Sequence, residues 1–314
     1  MLKDLLEEKK CFKLICGAGN EDLQEVEKLV ALYAKAGCRF FDLAANEEVL
    51  KAAQRGLSRV VVEKDLEDYY FCVSVGIKGE PHLNKVKINK NKCVECRACI
   101  ETCPQGAIVS IQNVMLNLFQ HRKSERPCDP DTSQATLSLV MLANARKQDE
   151  VTSSGRRGNF NIHEEKCIGC LRCLKACNHE SIEIYQKNKP LEEILPPVTR
   201  DPSPVTCLEL HASGKDEDDV QQRWDYLNKN FDGMLSICID RSKLSNEAIL
   251  KRIKNLIKDR KPYTTIIQAD GAPMSGGEDD FKTTLQAVAM AEIFQNANLP
   301  VYILLSGGTN SKSI

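Results

Sequence analysis

Apolar residues in this chain alternate between short continuous runs and longer stretches in which they recur every three or four positions. The continuous runs predict buried strands, and the helical spacing predicts amphipathic helices between them. Seven strands are predicted, at Phe12–Gly17, Cys38–Ala44, Tyr70–Ile77, Val205–His211, Met234–Asp240, Tyr263–Asp270 and Val301–Ser306. Predicted helices lie at Asn20–Ala34, Asn46–Arg55, Glu217–Lys229, Ser245–Lys258 and Asp279–Gln295, and Asn20 is the predicted cap of the first.

Repeated strand–helix units of this kind predict an α/β fold with a parallel sheet and right-handed connections. Seven strands with helices between most of them favour a partial TIM-barrel-like (β/α) scaffold over an open sheet. The sequence stops at Ile314, soon after Gly307 and Gly308, where an eighth strand–helix unit is missing. We therefore expect either an incomplete barrel or a truncated polypeptide.

The cysteine content departs most from an ordinary composition, with 15 cysteines in 314 residues. Two runs, Cys93–Cys103 and Cys167–Cys177, have the pattern C-x2-C-x2-C-x3-C. This spacing is typical of bacterial ferredoxins, in which three closely spaced thiolates wrap a cubane cluster and the fourth cysteine ligates the other cluster. Proline follows the first run, whereas Asn178 follows the second.

Applied to this chain, the ferredoxin rule predicts two [4Fe–4S] clusters. The predicted ligands are Cys93, Cys96, Cys99 and Cys177 for cluster 1, and Cys167, Cys170, Cys173 and Cys103 for cluster 2. Two structural zinc sites are the alternative, but zinc prefers well-separated C-x-x-C pairs. The dense spacing therefore favours iron–sulfur over zinc.

The sequences around the two cysteine runs also repeat. Ile88 and Ile162 lie five residues before the first cysteine of their runs, and Ile108 and Ile182 lie five residues after the last. This repeat predicts a duplicated strand–loop–strand unit, which is an inserted α+β bacterial-type two-cluster ferredoxin domain. Its apolar shell limits the access of water and, with hydrogen bonds to sulfur, sets the reduction potential.

Three domains follow from this pattern. Residues 1–80 hold the first β/α units of the scaffold, 81–190 form the ferredoxin-like domain, and 191–314 hold the remaining β/α units. Residues 113–158 are a predicted looped-out insertion, because their Pro-, Ser- and Gly-rich ends fit no strand of the repeat. A gating lid is the alternative role of this segment.

In barrels of this kind, chemistry takes place at the carboxyl ends of the strands. Glu209 and His211 share one side of their strand and are candidate cofactor-binding residues. Gly307 and Gly308 are a candidate phosphate cradle, since a glycine turn before a helix exposes backbone N–H groups. Other polar candidates at strand ends are Cys16, Asp42, Asp240 and Asp270. Turn capping is the alternative role of Asp42 and Asp240. For Cys11, Cys38, Cys72 and Cys238, core packing is the default expectation.

Charge and hydropathy narrow the class of protein. Lys and Arg total 43 and Asp and Glu total 44, which gives a net charge of -1. Nucleic acids and membrane surfaces attract proteins with an excess of positive charge, so neither partner is expected. No apolar run approaches the roughly 18 residues of a membrane span, and Met1–Lys10 lacks the apolar core of a signal peptide. We expect a cytoplasmic protein without membrane insertion.

Several segments resemble the cyanobacterial light-dependent period family. They are FKLICGAG near the start, GCRFFDLAA, the two ferredoxin runs, QADGAPMSGG and LLSGGTN, in this order. The resemblance implies an iron–sulfur protein that reports the redox state of the cell to the circadian clock. It also implies that the eight cysteines of the two runs are the cluster ligands and that clock proteins are partners.

Three functions fit these observations. The first is a non-enzymatic redox sensor or electron carrier that exchanges electrons with a protein or a small molecule. The second is an oxidoreductase whose ferredoxin domain passes electrons to a flavin or substrate in the barrel mouth, by analogy of fold alone. The third is a structural use of the clusters. The first is favoured because the cysteine runs are complete, whereas the sequence shows no evident nucleophile–base set.

Overall fold

The computed structural model describes residues 1–79, 83–110, 160–187, 189–200, 203–271 and 281–307. The predicted insertion at 113–158 lies outside the described residues. The chain divides into two compact units. The first unit comprises Met1–Lys87, His163–Leu171 and Ile184–Ile314, and the second comprises Ile88–Ile162 and Arg172–Glu183.

Strands and helices are numbered here in chain order. The strands are β1 Lys13–Ile15, β2 Phe40–Ala44, β3 Tyr70–Val75, β4 Asn84–Ile88, β5 Ile108–Ser110, β6 Phe160–Ile162, β7 Ile182–Gln186, β8 Val205–His211, β9 Met234–Ile239, β10 Thr265–Asp270 and β11 Tyr302–Ser306. The helices are α1 Leu2–Glu7, α2 Leu23–Lys35, α3 Glu47–Ser58, α4 Ala98–Glu101, α5 Arg172–Ala176, α6 Leu191–Thr199, α7 Glu217–Asn230, α8 Asn246–Ile257 and α9 Phe281–Asn296.

The first unit is built on a seven-stranded sheet in the order β1-β2-β3-β8-β9-β10-β11. Every neighbouring pair in this sheet is parallel. The predicted α/β class and the seven predicted strands are therefore confirmed. Within the described residues β1 and β11 are edge strands, so this part of the chain forms a half-barrel and closure into a TIM barrel is not seen there.

Side-chain contacts across the sheet show that it is strongly curled. Lys13 of β1 donates from Nζ to Glu209 of β8 at 2.6 Å and to Gln268 of β10 at 2.8 Å. The strands β1 and β10 are five places apart in the sheet, which corresponds to about 24 Å along a flat sheet. One lysine side chain spans this separation only because the strands curve around a common interior.

Polar side chains cap the helices that follow β1, β2, β8 and β9. Asn46 accepts from the Glu48 N–H at α3, and Ser245 accepts from the Ala248 N–H at α8. The predicted cap of α2 was wrong by two residues. Asp22 accepts from the first free N–H groups of α2, whereas the Asn20 amide oxygen accepts from the Asp22 N–H and fixes the turn before the helix.

The cysteine region contains two short sheets. β4 pairs with β7, and β5 pairs antiparallel with β6, with Ile108 opposite Ile162. The first strand of each half of the repeat thus pairs with the last strand of the other half. Helix α4 packs against α5. The isoleucines that flank the cysteine runs all lie at the strand ends nearest the runs, as the repeat predicts.

Helices cover the parallel sheet and enclose its apolar core. Trp224 of α7 is 1% exposed, and its Nε1 donates to the Leu256 carbonyl oxygen of α8 at 2.6 Å. Helices α2 and α3 approach each other closely at Gly56, where an added Cβ would lie 2.3 Å from the Glu27 carbonyl oxygen. Among the described residues, no helix has the length and apolarity needed to span a bilayer.

The close approach at Gly56 predicts that Gly56→Ala destabilises the protein. Overpacking against the α2 backbone is expected to lower the free energy of unfolding by about 1–3 kcal/mol. Helix propensity alone would raise it by about 1 kcal/mol, so the sign of the change is diagnostic. Urea denaturation followed by circular dichroism measures the difference. Gln54→Ala on the exposed side of the same helix is the control, with an expected change within about 0.5 kcal/mol.

Candidate functional site

The two cysteine loops have the same backbone conformation at equivalent positions. In the first loop Glu95 and Arg97 have left-handed φ angles of 60° and 68°. In the second loop Gly169 and Leu171 occupy the same two positions, with φ angles of 72° and 58°. A left-handed φ costs a residue other than glycine about 1–2 kcal/mol. Its recurrence at matched positions therefore indicates that both loops meet the same requirement.

The match continues beyond the fourth cysteine of each run. Gly106 and Glu180 lie three residues after these cysteines and have φ angles of 57° and 49°. One residue later, the Ala107 N–H donates to Cys103 Sγ at 3.3 Å, and the Ser181 N–H donates to Cys177 Sγ at 3.4 Å. Both fourth cysteines are thus held by the same backbone hydrogen bond to sulfur.

Three thiols of the second unit lie close enough to Cys99 to influence its charge. Burial raises the pKa of the buried Cys99 thiol, and the nearby Cys93, Cys96 and Cys177 thiols raise it further. These four are the cysteines predicted to hold cluster 1. Closely spaced cysteine thiols, together with backbone N–H groups that donate to cysteine sulfur, are the chemistry that iron–sulfur clusters require. The residues present therefore fit this group.

Lys85 anchors the start of the second cysteine loop. Its Nζ donates to the Cys167 carbonyl oxygen at 2.6 Å, to that of Glu164 at 3.1 Å and to that of Gly19 at 3.2 Å. The residue is 2% exposed, and burial lowers the pKa of the Lys85 ammonium. The carbonyl oxygens replace the water that this buried group has lost.

A second polar site lies on the interior face of the parallel sheet, around Lys13. Glu209 Oε2 accepts from Lys13 Nζ at 2.6 Å and from Ser236 Oγ at 2.6 Å. Asp42 Oδ2 lies 3.4 Å from Lys13 Nζ, and its other oxygen accepts from Ser74 Oγ at 2.5 Å. The side chains of Lys13, Asp42 and Glu209 are 5%, 2% and 0% exposed, so this is a buried ion network.

The protonation of this network follows from its charges. Burial alone would lower the pKa of Lys13, but Asp42, Cys72 and Glu209 raise it well above its usual range. Burial would raise the pKa of Glu209, yet Lys13 and His211 hold it below its usual range. Lys13 and Glu209 are therefore both charged at neutral pH.

His211, Cys238 and Asp270 extend the network toward the carboxyl ends of β8, β9 and β10. His211 Nε2 lies 3.6 Å from Glu209 Oε1, and Cys238 Sγ lies 3.7 Å from Asp270 Oδ2. Burial and the Asp240 charge raise the pKa of Asp270 to about 7, against the opposing effect of His211.

A cavity of about 300 Å³ opens beside His211. Its lining includes the residues that follow or end β2 and β3, and it combines apolar, cationic and acidic side chains. Residues that contribute to the wall are Ala44, Ser74, Gly76, Lys85, Lys187 and His211. Lys187 is paired there with Glu21 at 2.7 Å and Glu164 at 2.7 Å.

The structure places some of the residues predicted at the barrel mouth together and leaves another in a local turn. Glu209 and His211 are brought together, and Asp42 and Asp270 join the same network. Asp240 accepts a hydrogen bond from the Ser242 N–H at 2.6 Å, as expected of a turn-capping residue.

Of the two glycines predicted to cradle a phosphate, Gly307 is the last residue that the structure describes. Gly307 packs against α9, where an added Cβ would lie 2.8 Å from the Thr284 Cα, and its carbonyl oxygen accepts from Thr284 Oγ1 at 3.4 Å. Gly308 lies outside the described residues. The phosphate cradle therefore stays a prediction.

Sequence reasoning missed several members of the interior network, among them Ser74 and Ser236. Lys13, Gln268 and Cys238 were not predicted as site residues, and Cys238 was expected only to fill the core. A usable signal was present for the first two, because a lysine and a glutamine interrupt strands that are otherwise apolar.

Parts of this chain match two protein-family models, and nearly all of it aligns with a known protein. Residues 201–314 match the family model described as the Light dependent period A C-terminal domain, and residues 85–178 match that of a 4Fe-4S dicluster domain. The chain is 25% identical over 305 residues to Light dependent period A of Synechococcus elongatus. That alignment covers 96% of this chain and 72% of the relative. These matches confirm the resemblance to the light-dependent period family that the sequence shows. The match to the 4Fe-4S dicluster domain identifies an iron–sulfur protein.

The interior network predicts that Lys13→Met is strongly destabilising. The substitution leaves two buried carboxylates without their cation, so we expect a loss of about 3–5 kcal/mol in the free energy of unfolding. Urea denaturation measures it. The control is Lys3→Met, which removes an exposed pair to Glu7 at 3.6 Å and is expected to cost less than about 1 kcal/mol. Equal effects of the two substitutions would contradict the network.

The matched loops predict that substitutions at two equivalent positions, Gly169 and Glu95, have different effects on the bound iron. Gly169→Val places a β-branched residue at a left-handed φ and is expected to reduce the iron bound per chain. Glu95→Gly relieves the same conformation in the first loop and is expected to leave the bound iron unchanged. Iron and protein assays after anaerobic reconstitution measure both. Val94→Ala, at an exposed position in the first loop, is the control. Full iron content in Gly169→Val would show that the left-handed turn is not required.

Proposed function

We propose that this chain, an iron–sulfur protein related to the Light dependent period A family, holds two [4Fe–4S] clusters and serves in redox sensing and electron transfer. The observation that supports it most is the repeated loop conformation. Two cysteine runs with identical spacing adopt left-handed turns at the same positions and bind the fourth sulfur with the same N–H group. A single structural metal ion would need only one of these two loops, whereas two clusters account for both.

The proposed ligands follow the ferredoxin rule. Cys93, Cys96, Cys99 and Cys177 hold cluster 1, and the electrostatic influence of the other three thiols on Cys99 supports that set. Cys167, Cys170, Cys173 and Cys103 hold cluster 2, which rests on the spacing and on the equivalence of the loops. Each cluster, when bound, accepts and donates one electron.

The polypeptide contributes binding and tuning in this proposal. The cysteines supply thiolates, and the N–H groups of Ala107 and Ser181 donate to the sulfur atoms of Cys103 and Cys177. Hydrogen bonds of this kind stabilise negative charge on sulfur and shift the reduction potential upward. The buried Lys85 ammonium beside the Cys167 backbone acts in the same direction, because it favours added negative charge nearby.

The proposed biological role is to convert a redox state into a change in partner binding. An electron added at a cluster changes the charge of the cysteine region and with it the affinity for a partner. The partner is a redox donor or acceptor, either a protein or a small molecule. Clock proteins are proposed partners on the strength of the similarity to Light dependent period A.

A second candidate is an oxidoreductase in which the cluster domain supplies electrons to a flavin or substrate. The cavity beside His211, at the strand ends where barrel enzymes hold their substrates, favours it. A flavin released from purified protein by denaturation, detected by its fluorescence, would support this reading. If the supernatant of the denatured protein shows no flavin fluorescence, the protein does not carry a bound flavin.

Redox-titrated electron paramagnetic resonance on anaerobically purified protein tests the main proposal. We expect about eight irons per chain and two reducible clusters. Cys96→Ser is expected to lose about half of the iron, whereas Cys11→Ser, outside the cysteine runs, retains all of it. A folded protein that binds zinc in place of iron would overturn the proposal. Global unfolding of Cys96→Ser, together with equal partner affinity of the oxidised and the reduced wild-type protein, would favour structural clusters instead.

A further inference from the structure

We propose that Glu209, His211 and Cys238 form a zinc site in the first unit, in addition to the clusters of the cysteine runs. One ligand atom from each residue, a carboxylate oxygen, an imidazole nitrogen and the sulfur, lies within 4.8 Å of the other two. Carboxylate, imidazole and thiolate are the three side-chain donors that zinc uses in proteins.

The parallel sheet itself brings these three residues together. Glu209 and His211 are two positions apart on β8 and therefore point to the same face. Cys238 on β9 is the register partner of His211, so its side chain stands beside the imidazole on that face. Glu209 is 0% and Cys238 5% exposed, and the His211 side chain is 12% exposed. Rigid strands, rather than loops, thus fix all three donors.

Glu209 is oriented for such a role. Its Oε2 accepts from Lys13 and Ser236, each at 2.6 Å, while its Oε1 accepts from Ser74 Oγ at 3.4 Å and lies 3.6 Å from His211 Nε2. Two ligands of one tetrahedral zinc ion lie about 3.4 Å apart, so this nitrogen–oxygen distance is close to the required one. Anchoring of one carboxylate oxygen by neighbouring groups is the usual support of a metal ligand.

The local charge favours a divalent cation. A Cys238 thiolate and the Glu209 carboxylate together neutralise one Zn²⁺ ion. The Lys13 ammonium is shared between Glu209 and Asp42, at 2.6 Å and 3.4 Å. The Cys238 thiol donates to Asp270 Oδ2 at 3.7 Å and accepts from Gln268 Nε2 at 3.4 Å. A sulfur and a nitrogen donor select zinc over magnesium or calcium, which prefer oxygen ligands alone.

The site adjoins a cavity at the strand ends through His211. His211 lines the cavity of about 300 Å³ beside the strand ends. Zinc sites with three protein ligands keep one position for water or a substrate oxygen. The geometry therefore assigns to this site a small oxygen-donor ligand that enters from the cavity.

Zinc retention and zinc X-ray absorption on the iron-loaded full-length protein test the proposal. Protein with its full iron content is incubated with excess Zn²⁺ and passed over a mild chelating resin. We expect about one retained zinc per chain, with one sulfur at about 2.3 Å and nitrogen or oxygen ligands at about 2.0–2.2 Å. His211→Ala and Cys238→Ala are expected to weaken zinc binding at least about tenfold without loss of iron. Cys38→Ala, which removes a different buried cysteine, is the matched control and retains the zinc.

Three results would overturn the proposal. They are the absence of retained zinc in the wild-type protein, a shell of four sulfurs that places the zinc at the cluster cysteines, and unchanged zinc retention in both ligand variants. The wild-type spectrum decides the question even where a variant fails to fold. Iron content reads the clusters independently, so failure of the zinc site and failure of the proposed function are distinguishable.

Discussion

The buried ammonium of Lys13 is the interaction on which the first unit depends most. It connects β1 with β8 and β10, strands that a flat sheet would place far apart. An ammonium in an apolar interior is stable only with its counter-charges, and Asp42 and Glu209 supply them. The curl of the sheet brings these strands together, and the pairing with Lys13 fixes the position of Glu209. That position in turn sets the carboxylate next to His211.

The cysteine loops show a different principle, in which backbone conformation is repeated while side chains vary. Gly169 adopts its left-handed φ at little cost, whereas Glu95 adopts nearly the same angle against its intrinsic preference. Arg97 and Leu171 differ in charge and size but share their conformation. A loop that must direct several N–H groups at one small inorganic group constrains φ and ψ more tightly than it constrains side chains. The repeat is for this reason clearer in the structure than in the residue types.

The cysteine loops and the polar network around Glu209 differ in how much they depend on the rest of the fold. The cysteine donors are close in sequence, and each run brings its own turn. The residues of the network around Glu209 come from six strands and meet only because the sheet curls. A shift of one residue in the register of β9 would turn Cys238 to the other face of the sheet and separate it from His211. Such a site is sensitive to packing throughout the scaffold, whereas a cysteine loop depends mainly on local geometry.

The sequence alone determined the seven strands of the scaffold, the helices between them and the two cysteine runs with their flanking isoleucines. These features depend on periodicity and on spacing along the chain, which a sequence displays directly. It misplaced the cap of α2, because Asn20 and Asp22 are both suitable capping residues and only the path of the chain selects between them. Tertiary structure alone decided that Lys13 lies inside the sheet and that Cys238 stands beside His211. The reason is physical: curvature and register bring together residues up to 255 positions apart, and no local pattern encodes that distance.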